Sequence, residues 1–229
     1  MSKNLFKRII TSIILLSLLF FINFSHKYIT ILSILILGLI ICIEANKIFS
    51  KLINRRDYNK EYSQKKFYLK FLILNVITFC YVFFIFCYLT INIFIFGGPL
   101  FFLYILSICF FTDIGGYVFG KIIGGRKLSK ISPNKTVSGA IGSFMFSIIP
   151  LFFFLNFDNL DLKFNINNIV FILLISLISQ LGDLFISFLK RKAKIKDTGK
   201  ILPGHGGVLD RVDGIIFAVP FSYLLLKLI

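Results

Sequence analysis

The feature that most constrains this chain is a series of long apolar runs separated by clusters of charge. Most of these runs approach the roughly 20 apolar residues that a helix needs to cross a bilayer. Hydrophobic residues make up 57% of the chain and charged residues only 16%, which excludes a sizeable water-soluble domain. We therefore predict an all-α, polytopic integral membrane protein with about seven transmembrane helices. The predicted spans are about 9–25, 28–46, 71–90, 98–118, 139–157, 167–188 and 214–228.

The distribution of Lys and Arg predicts how these spans are oriented. When the segments between spans are assigned alternately to two faces, 23 of the 26 Lys and Arg residues fall on one face. Positively charged segments tend to stay on the cytoplasmic side of a membrane. We therefore expect a cytoplasmic N-terminus, with the segments 47–70, 119–138 and 189–213 in the cytosol.

The chain divides into two regions by expected role. Residues 1–97 contain the N-terminal transmembrane helices and a basic cytosolic linker at about 47–70, which suits contact with anionic lipid headgroups. Residues 98–229 are expected to form the catalytic transmembrane region, with cytosolic loops at about 119–138 and 189–213. The net charge of +16 indicates orientation in a membrane and binding of anionic headgroups, and nucleic acid is not an expected partner.

Four carboxylates near cytosolic helix ends suggest a metal site. Asp113 and Asp183 lie near the ends of apolar runs, and Asp210 and Asp213 stand before the last span. Ionisable residues at membrane depth are costly, so their presence indicates function. The i, i+3 spacing of Asp210 and Asp213 suits Mg²⁺, which takes one or two carboxylates together with substrate phosphates. The alternative is that either residue caps the start of a helix.

The helix that carries Asp183 also presents a hydroxyl and two cations. At about 100° per residue, Ser187, Lys190 and Arg191 fall on the same side of the helix as Asp183. A Lys-Arg pair at a helix end is common by itself. The acid one or two turns deeper favours a functional role for this face.

A glycine-rich turn follows this helix. Gly204, His205, Gly206 and Gly207 are consecutive, and the missing side chains would let backbone amides approach phosphates. The alternative is a tight turn, because the spacing of a P-loop is missing. We expect His205 to donate a hydrogen bond from the loop rather than to act as a general base.

A third candidate element begins at the end of the fourth predicted span. Asp113 and Tyr117 share a helix face at i, i+4, and the following loop offers Ser132, Lys135 and Thr136. Two hydroxyls and an ammonium suit the phosphates of a nucleotide, although many loops carry such residues. Three glycines spaced four residues apart in this region favour close helix packing: Gly116, Gly120 and Gly124.

The stretch 187–213 reads SFLKRKAKIKDTGKILPGHGGVLDRVD and resembles the C-terminal signature of the phosphatidate cytidylyltransferase (CDP-diacylglycerol synthase) family. Its Lys-Asp, Pro-x-His-Gly-Gly and Asp-Arg-x-Asp groups stand at the family's spacings. The resemblance extends upstream to 182–184 and to 113–139, and so covers about the C-terminal half of the chain. Val137 and Ser138 depart from the family, which commonly has a large aromatic residue followed by Glu or Gln at these positions.

This resemblance implies transfer of a cytidylyl group from CTP to phosphatidate, giving CDP-diacylglycerol and pyrophosphate for phospholipid biosynthesis. The implied substrates are CTP and phosphatidate, within membrane lipids, and a homodimer is left open. The implied cofactor is Mg²⁺, and a second, monovalent ion such as K⁺ is left open. The active site is expected on the cytosolic side of a bacterial inner membrane. The implied metal ligands are Asp183, Asp210 and Asp213.

The resemblance also implies roles for residues at the helix ends and in the cytosolic loops. A phosphate oxygen of phosphatidate attacks the α-phosphorus of CTP, so cations are expected to hold phosphates and no protein nucleophile is required. The implied catalytic residues are Asp183, Ser187, Lys190, Arg191, Lys196, Asp197, Asp210, Arg211 and Asp213. The implied substrate-binding residues are Asp113, Tyr117, Ser132, Lys135, Thr136, His205, Gly206 and Gly207.

Two other functions stand as alternatives. A CTP-dependent lipid kinase would share the membrane location and the basic loops, but it would transfer the γ-phosphoryl group and release CDP. A transporter of anionic solutes would need paired, broken helices in two halves, whereas the polar motifs of this chain cluster in its C-terminal half. Release of pyrophosphate rather than CDP distinguishes the transferase from the kinase.

Overall fold

The protein is almost entirely helical in the part of the chain that the computed structural model describes. That part comprises residues 3–53, 61–128, 132, 135–157, 160, 162–204 and 206–227, and the side chains of 3–9 and 61–67 are not included. Within these ranges the β-type pairing consists of two isolated antiparallel bridges in loops. This confirms the predicted all-α class.

Helices follow one another along most of the described chain. In chain order they are α1 (Lys3–Asn23), α2 (Lys27–Ile53), α3 (Glu61–Cys80), a π-helix (Tyr81–Cys87), α4 (Tyr88–Ile122), α5 (Val137–Ser147), α6 (Ile149–Phe154), α7 (Ile166–Lys192), α8 (Leu209–Val212) and α9 (Ile215–Leu226).

Four helical stretches of the described chain are long and apolar enough to cross a membrane: 27–53, 68–122, 137–154 and 166–192. Large apolar side chains stay exposed along them, and Phe96, for example, has 79% of its surface accessible. Such side chains face acyl chains in a bilayer, which identifies an integral membrane protein. The count of seven spans and the cytoplasmic N-terminus stay predictions.

The observed helices extend into the basic segment that the sequence predicts to be a linker. The linker is predicted at 47–70, but α2 continues to Ile53 and α3 begins at Glu61. Residues such as Lys, Glu and Gln have good helix propensity, so a helix can continue past the end of an apolar run. Residues 54–60 lie outside the described part of the chain.

The predicted gap between the third and fourth spans is reduced to a single residue. The π-helix and α4 continue the helical path of α3, and Gly98 interrupts it with φ 76° and ψ 174°. Glycine adopts this backbone conformation without the strain that a Cβ would cause. Pro99 follows, and proline is well suited to the first turn of a new helical stretch. An unbroken α4 would be about 50 Å long, well beyond the about 30 Å of a hydrocarbon core.

The described chain forms two compact units. The first unit comprises Met1–Tyr88 and Leu189–Val212, and the second comprises Leu89–Phe188 and Asp213–Ile229. The predicted division of the chain into 1–97 and 98–229 separates regions by their expected catalytic role rather than by packing, and it stays a prediction.

In the first unit, α2 packs against the π-helix. Ile34 and Ile41 are buried on one face of α2, and Gly38 lies between them. A Cβ at Gly38 would come within 2.6 Å of Cys87 Sγ, so the two helices are in close contact. Glu44, three residues after Ile41, belongs to the same buried face.

The core of the second unit is formed by residues of α4, α6, α7 and α9. Tyr104, Ile108 and Leu151 have no measurable exposure there. The buried members of this cluster are Tyr104, Ile108, Cys109, Leu151, Phe171, Ile172, Ile175, Ala218 and Leu225.

Glycines bring α4 and α5 into backbone contact in the second unit. A Cβ at Gly115 would lie 2.4 Å from Gly142 O, and one at Gly116 would lie 2.7 Å from Ser143 Oγ. This confirms the close packing predicted from the glycine spacing. The prediction is wrong for Gly124, which lies beyond α4 with φ 63° and has no atom within 4 Å of an added Cβ.

Candidate functional site

In the second unit, the loop between α4 and α5 contains a short antiparallel pairing. Lys127 pairs with Thr136, and Leu128 N donates a hydrogen bond to Lys135 O at 2.8 Å. Thr136 also begins α5 as its N-cap, because its Oγ1 accepts a hydrogen bond from Gly139 N at 3.1 Å. The hydroxyl of Thr136, predicted to bind the nucleotide, therefore has a structural partner. These bonds hold the backbone of Lys135 in place near the end of the loop.

Lys135 forms an ion pair with Asp183 of α7. Ser187, one turn further along α7, donates a hydrogen bond from Oγ to Asp183 Oδ1 at 3.2 Å. The side chains of Lys135 and Asp183 are 30% and 26% exposed, so the pair remains accessible to a ligand. The structure thus brings together three predicted site residues, here called the Asp183 cluster: Lys135, Asp183 and Ser187.

Asp213 lies beside the same part of α7. A Cβ at Gly182 would lie 2.9 Å from Asp213 O, and one at Gly214 would lie 2.5 Å from Ser179 Oγ. The Asp213 side chain is nearly buried, and its Oδ1 accepts a hydrogen bond from Gly214 N at 3.0 Å. Close backbone packing therefore places Asp213 next to the residue that precedes Asp183.

The other predicted residues of the second unit lie on α4 and in the loop after it. Asp113 and Tyr117 lie four residues apart on α4, as predicted for residues that share a helix face, and both are exposed. Lys121 Nζ lies 5.7 Å from the centroid of the Tyr117 ring. Ser132 contributes its carbonyl oxygen, which accepts a hydrogen bond from Lys135 N at 3.1 Å. Ser132 therefore helps to shape the loop that presents Lys135.

In the first unit, Asp210 organises the segment 193–208 between α7 and α8, here called the Asp210 loop. Asp210 Oδ2 accepts hydrogen bonds from Thr198 N at 2.8 Å and from Gly207 N at 2.9 Å. Asp210 Oδ1 accepts one from Lys190 Nζ at 2.8 Å, at the end of α7. The side chains of Lys190 and Asp210 are only 12% and 7% exposed, so this is a nearly buried ion pair.

The surroundings of Asp210 keep it ionised. Burial alone would raise its pKa, but the hydrogen bond and charge of Lys190 and the amides of Thr198 and Gly207 outweigh that effect. The net pKa of Asp210 therefore lies below its ordinary value of 3.8. Asp210 lies within α8 and accepts hydrogen bonds from residues that precede it, so the alternative in which it caps a helix is wrong.

The glycine-rich segment forms a tight turn. Leu202 N donates to Gly206 O at 2.9 Å, and Gly206 N donates to Leu202 O at 3.1 Å. Gly206 has φ 89°, a conformation that favours glycine. The amides of Gly206 and Gly207 are therefore bonded within the loop, and their contact with substrate phosphates stays a prediction. His205 lies outside the described residues.

The remaining predicted catalytic residues of the first unit lie on its surface. These exposed residues are Arg191, Lys196, Asp197 and Arg211. Exposed cations of this kind are accessible to a phosphate, unlike the nearly buried Lys190.

Glu44, an acid that the sequence motifs do not include, also contacts the Asp210 loop. Glu44 has no exposed surface, and its Oε2 accepts hydrogen bonds from Thr198 Oγ1 at 2.7 Å and from Leu209 N at 2.8 Å. Its Oε1 accepts one from Val208 N at 3.1 Å. Glu44 is the only charged residue in the predicted span 28–46, and the rarity of acids at membrane depth could have identified it.

Three bacterial proteins named phosphatidate cytidylyltransferase are similar to part of the chain. The Staphylococcus haemolyticus (strain JCSC1435) protein is 44% identical over 125 residues, which is 54% of this chain and 48% of that protein. The Bacillus subtilis (strain 168) protein is 42% identical over 132 residues, 57% of this chain and 49% of that protein. The Staphylococcus aureus (strain COL) protein is 45% identical over 128 residues, with coverage of 54% and 48%. The chain therefore spans about half the length of the curated relatives it matches.

A model of the cytidylyltransferase family matches residues 48–229. The matched segment includes both the Asp183 cluster and the Asp210 loop, and with them every site residue predicted from the sequence. The match also extends well beyond the C-terminal half in which the motifs are found. The chain therefore belongs to the cytidylyltransferase family.

Proposed function

We propose that this protein transfers a cytidylyl group from CTP to phosphatidate, forming CDP-diacylglycerol and releasing pyrophosphate. The observation that carries this proposal is the family match over residues 48–229. The names of the similar bacterial proteins support phosphatidate as the acceptor. The acids and cations described above supply the charges that such a reaction needs.

In the proposed reaction, a phosphate oxygen of phosphatidate forms a bond with the α-phosphorus of CTP. The bond from that phosphorus to the oxygen that bridges to the β-phosphate breaks, and pyrophosphate leaves with this oxygen. Both reactants are polyanions, so the protein must mainly neutralise charge and align the reacting atoms. No side chain has to form a covalent intermediate.

Lys135 is the residue that we assign to the phosphates of CTP. Its ammonium is partly exposed, and the loop pairing and Asp183 hold it in place. In the first unit, exposed Arg191, Lys196 and Arg211 are available to bind phosphate oxygens through charge-assisted hydrogen bonds.

Lys190 contributes differently, because it is nearly buried in its pair with Asp210. Its role in this proposal is to hold the Asp210 loop in the conformation that presents the exposed cations.

We propose Mg²⁺ as the cofactor, held by Asp183 and Asp213. Both residues supply the carboxylate oxygens that Mg²⁺ prefers, the backbone of Asp213 lies against Gly182, the residue before Asp183, and Asp183 is partly exposed. In the described part of the chain, no group of three or more His, Cys, Asp and Glu side chains is arranged to hold a metal ion. One or two carboxylates plus substrate phosphates are sufficient for Mg²⁺. When bound, the ion would neutralise charge on the triphosphate. Asp210 as a third ligand, and a monovalent ion, stay predictions.

We place the proposed reaction at the cytosolic face of a bacterial inner membrane. The support for this location is the concentration of Lys and Arg in alternate segments, the four apolar helices and the bacterial origin of the similar proteins. A homodimer stays a prediction.

Labelled CTP tests the proposed function directly. The purified protein in detergent micelles is incubated with phosphatidate, Mg²⁺ and CTP that carries the label at either the α- or the γ-phosphate. A cytidylyltransferase transfers the α label to lipid and releases the γ label in pyrophosphate. A CTP-dependent lipid kinase instead transfers the γ label to lipid and releases CDP, and that result would overturn the proposal.

Two variants serve as controls for this assay. Asp183→Asn removes a proposed metal ligand and is expected to abolish transfer of the α label. Lys163→Gln changes an exposed Lys outside the proposed site and is expected to retain transfer. If neither wild type nor Lys163→Gln transfers label at saturating Mg²⁺, the proposed function is wrong.

A further inference from the structure

Glu44 is a buried acid whose described hydrogen bonds come from a distant part of the sequence. Thr198, Val208 and Leu209 donate to it, and they lie 154 to 165 residues further along the chain. A buried carboxylate is strongly unfavourable unless hydrogen-bond donors replace water. The hydroxyl of Thr198 and the amides of Val208 and Leu209 meet that need.

Two glycines of the Asp210 loop allow this approach. A Cβ at Gly199 would lie 2.3 Å from Glu44 Oε1, and one at Gly207 would lie 2.4 Å from Glu44 Oε2. Neither contact is possible for a real side chain, so the loop backbone can close on the carboxylate only where side chains are missing. Gly207, which the sequence associates with phosphate binding, therefore serves the contact with Glu44.

Thr198 connects Glu44 to the ion pair of the Asp210 loop. Its hydroxyl lies 2.7 Å from Glu44 Oε2 and 3.1 Å from Asp210 Oδ2, and its amide donates to Asp210 Oδ2 at 2.8 Å. Asp210 in turn accepts the hydrogen bond of Lys190. A continuous set of hydrogen bonds therefore runs from α2 through the loop to the end of α7.

We propose that Glu44 is a positioning residue that fixes the Asp210 loop against α2. Its catalytic consequence rests on the proposed function: the loop carries Lys196 and Asp197 and precedes Arg211, so a misplaced loop would misplace groups that hold phosphates. Glu44 precedes residue 48, at which the family match begins. It touches no reacting atom and acts through Thr198 and Asp210.

Loop cleavage by trypsin tests this proposal without any assay of activity. Exposed cleavage sites lie at Lys192, Lys194, Lys196 and Lys200. We expect Glu44→Ala to speed cleavage within 192–200 at least about tenfold in the purified, detergent-solubilised protein, because the loop opens more often when its anchor is lost. Glu44→Gln keeps one acceptor oxygen and should fall between Glu44→Ala and wild type.

Ile34→Ala is the matched control. It removes a buried side chain from the same helix without touching the hydrogen bonds of Glu44, so it lowers the melting temperature but leaves loop cleavage within about twofold of wild type. If Ile34→Ala speeds cleavage as much as Glu44→Ala, general destabilisation is the cause and the proposal fails. The proposal also fails if Glu44→Ala and Glu44→Gln both leave cleavage unchanged.

A double-variant experiment tests the path through Thr198. Thr198→Val removes the hydroxyl and keeps the shape, so it and Glu44→Gln should each speed cleavage, and the double variant should exceed the larger single effect by less than about twofold. If the two substitutions instead multiply each other's effect on the cleavage rate, Thr198 and Glu44 act independently, and the proposed path from Glu44 through Thr198 is wrong. If Glu44→Ala does not accumulate in the membrane, Thr198→Val and Glu44→Gln are sufficient to test the proposal.

Kinetics then separate this proposal from the proposed function. We expect Glu44→Gln to lower kcat for cytidylyl transfer about tenfold, whereas Ile34→Ala leaves kcat within about twofold. If wild type shows no transfer but Glu44 variants open the loop, the proposed function fails and the positioning role stands. If wild type is active and neither cleavage nor kcat responds to Glu44, the positioning role fails alone.

Discussion

Lys135 and Asp183 form an ion pair that connects the loop after α4 to α7 within the second unit. The sequence associates Lys135 with a nucleotide and Asp183 with a metal ion, but in the structure each is the counterion of the other. A triphosphate that binds Lys135 must compete with this carboxylate. The pair therefore keeps both charges compensated and in position until a ligand competes for Lys135.

If Lys135 binds CTP as proposed, Lys135→Gln is expected to raise the KM for CTP at least about tenfold, which corresponds to about 1.4 kcal/mol, because it removes the proposed phosphate contact. The measurement is cytidylyl transfer over a range of CTP concentrations at saturating phosphatidate. Lys163→Gln is the matched control, since Lys163 is exposed on a different loop. An unchanged KM in the Lys135 variant would show that this ammonium does not bind CTP.

Ser138→Ala is expected to retain most activity, because no carboxylate or amide stands at this position to take part in the reaction. Ser138 Oγ donates to Gly124 O and lies 2.9 Å from Thr136 Oγ1 at the start of α5. Removing it should lower the free energy of unfolding by about 1 kcal/mol, seen as a small drop in melting temperature. A loss of activity beyond about a hundredfold, or about 2.7 kcal/mol, would show that Ser138 contributes to the reaction itself.

Asp210→Asn is expected to lower the free energy of unfolding by about 3 kcal/mol at neutral pH, because it removes the counterion of a nearly buried Lys190. The advantage of wild type is complete above the ordinary pKa of 3.8 and is lost as pH falls through the lower folded-state pKa. Thermal unfolding in detergent at stepwise lower pH measures this difference. The double variant Lys190→Met with Asp210→Asn should recover part of the stability, and a constant difference at all pH values would contradict the ion pair.

The same variant also bears on whether Asp210 binds Mg²⁺. If Asp210 is a ligand, Asp210→Asn should lower cytidylyl transfer at ordinary Mg²⁺ concentrations. Raising the Mg²⁺ concentration should then restore part of this activity, because a weakened site fills at higher concentration. If the loss comes from the opened loop, activity should stay low at every Mg²⁺ concentration.

Thiol labelling tests the predicted orientation. With the native cysteines replaced, Lys135→Cys should resist an impermeant thiol reagent added to intact cells, and Lys163→Cys should react with it. The reason is the concentration of Lys and Arg on the face that contains Lys135. The opposite pattern would overturn the predicted topology, and permeabilised cells show that both cysteines can react.

Helices and the Asp183 cluster could be predicted to different extents. The apolar runs predict helices because length and hydropathy are local properties, and i, i+4 spacing predicts that Ser187 shares a helix face with Asp183, which their hydrogen bond confirms. The pairing of Lys135 with Asp183 depends on how the loop folds back toward α7, which no local spacing reveals. The sequence predicts an interruption between 90 and 98, but it does not predict that the interruption is confined to Gly98, because apolar residues compatible with a helix fill most of this gap.

The contacts of Glu44 were beyond prediction for a related reason. Its position within an apolar run marks it as unusual, but its donors lie more than 150 residues away along the chain. Gly207 belongs to a glycine-rich segment of the kind expected in a phosphate-binding turn. In the structure its amide donates a hydrogen bond to Asp210, and its backbone lies against Glu44. A glycine required for close packing and one required for ligand access look identical in a single sequence.

The backbone contact between Gly115 and Gly142 has a consequence for how this region tolerates mutation. No side chain fits at either glycine, and Phe119 and Phe146 pack directly against them, so substitution of these inward-facing residues would disturb the close approach of α4 and α5. Ile114 and Met145, which are 47% and 58% exposed on the same two helices, can exchange with other apolar residues at little cost. Sequence drift in this helix pair should therefore be confined to the lipid-facing sides, while the loop that carries Lys135 keeps its place.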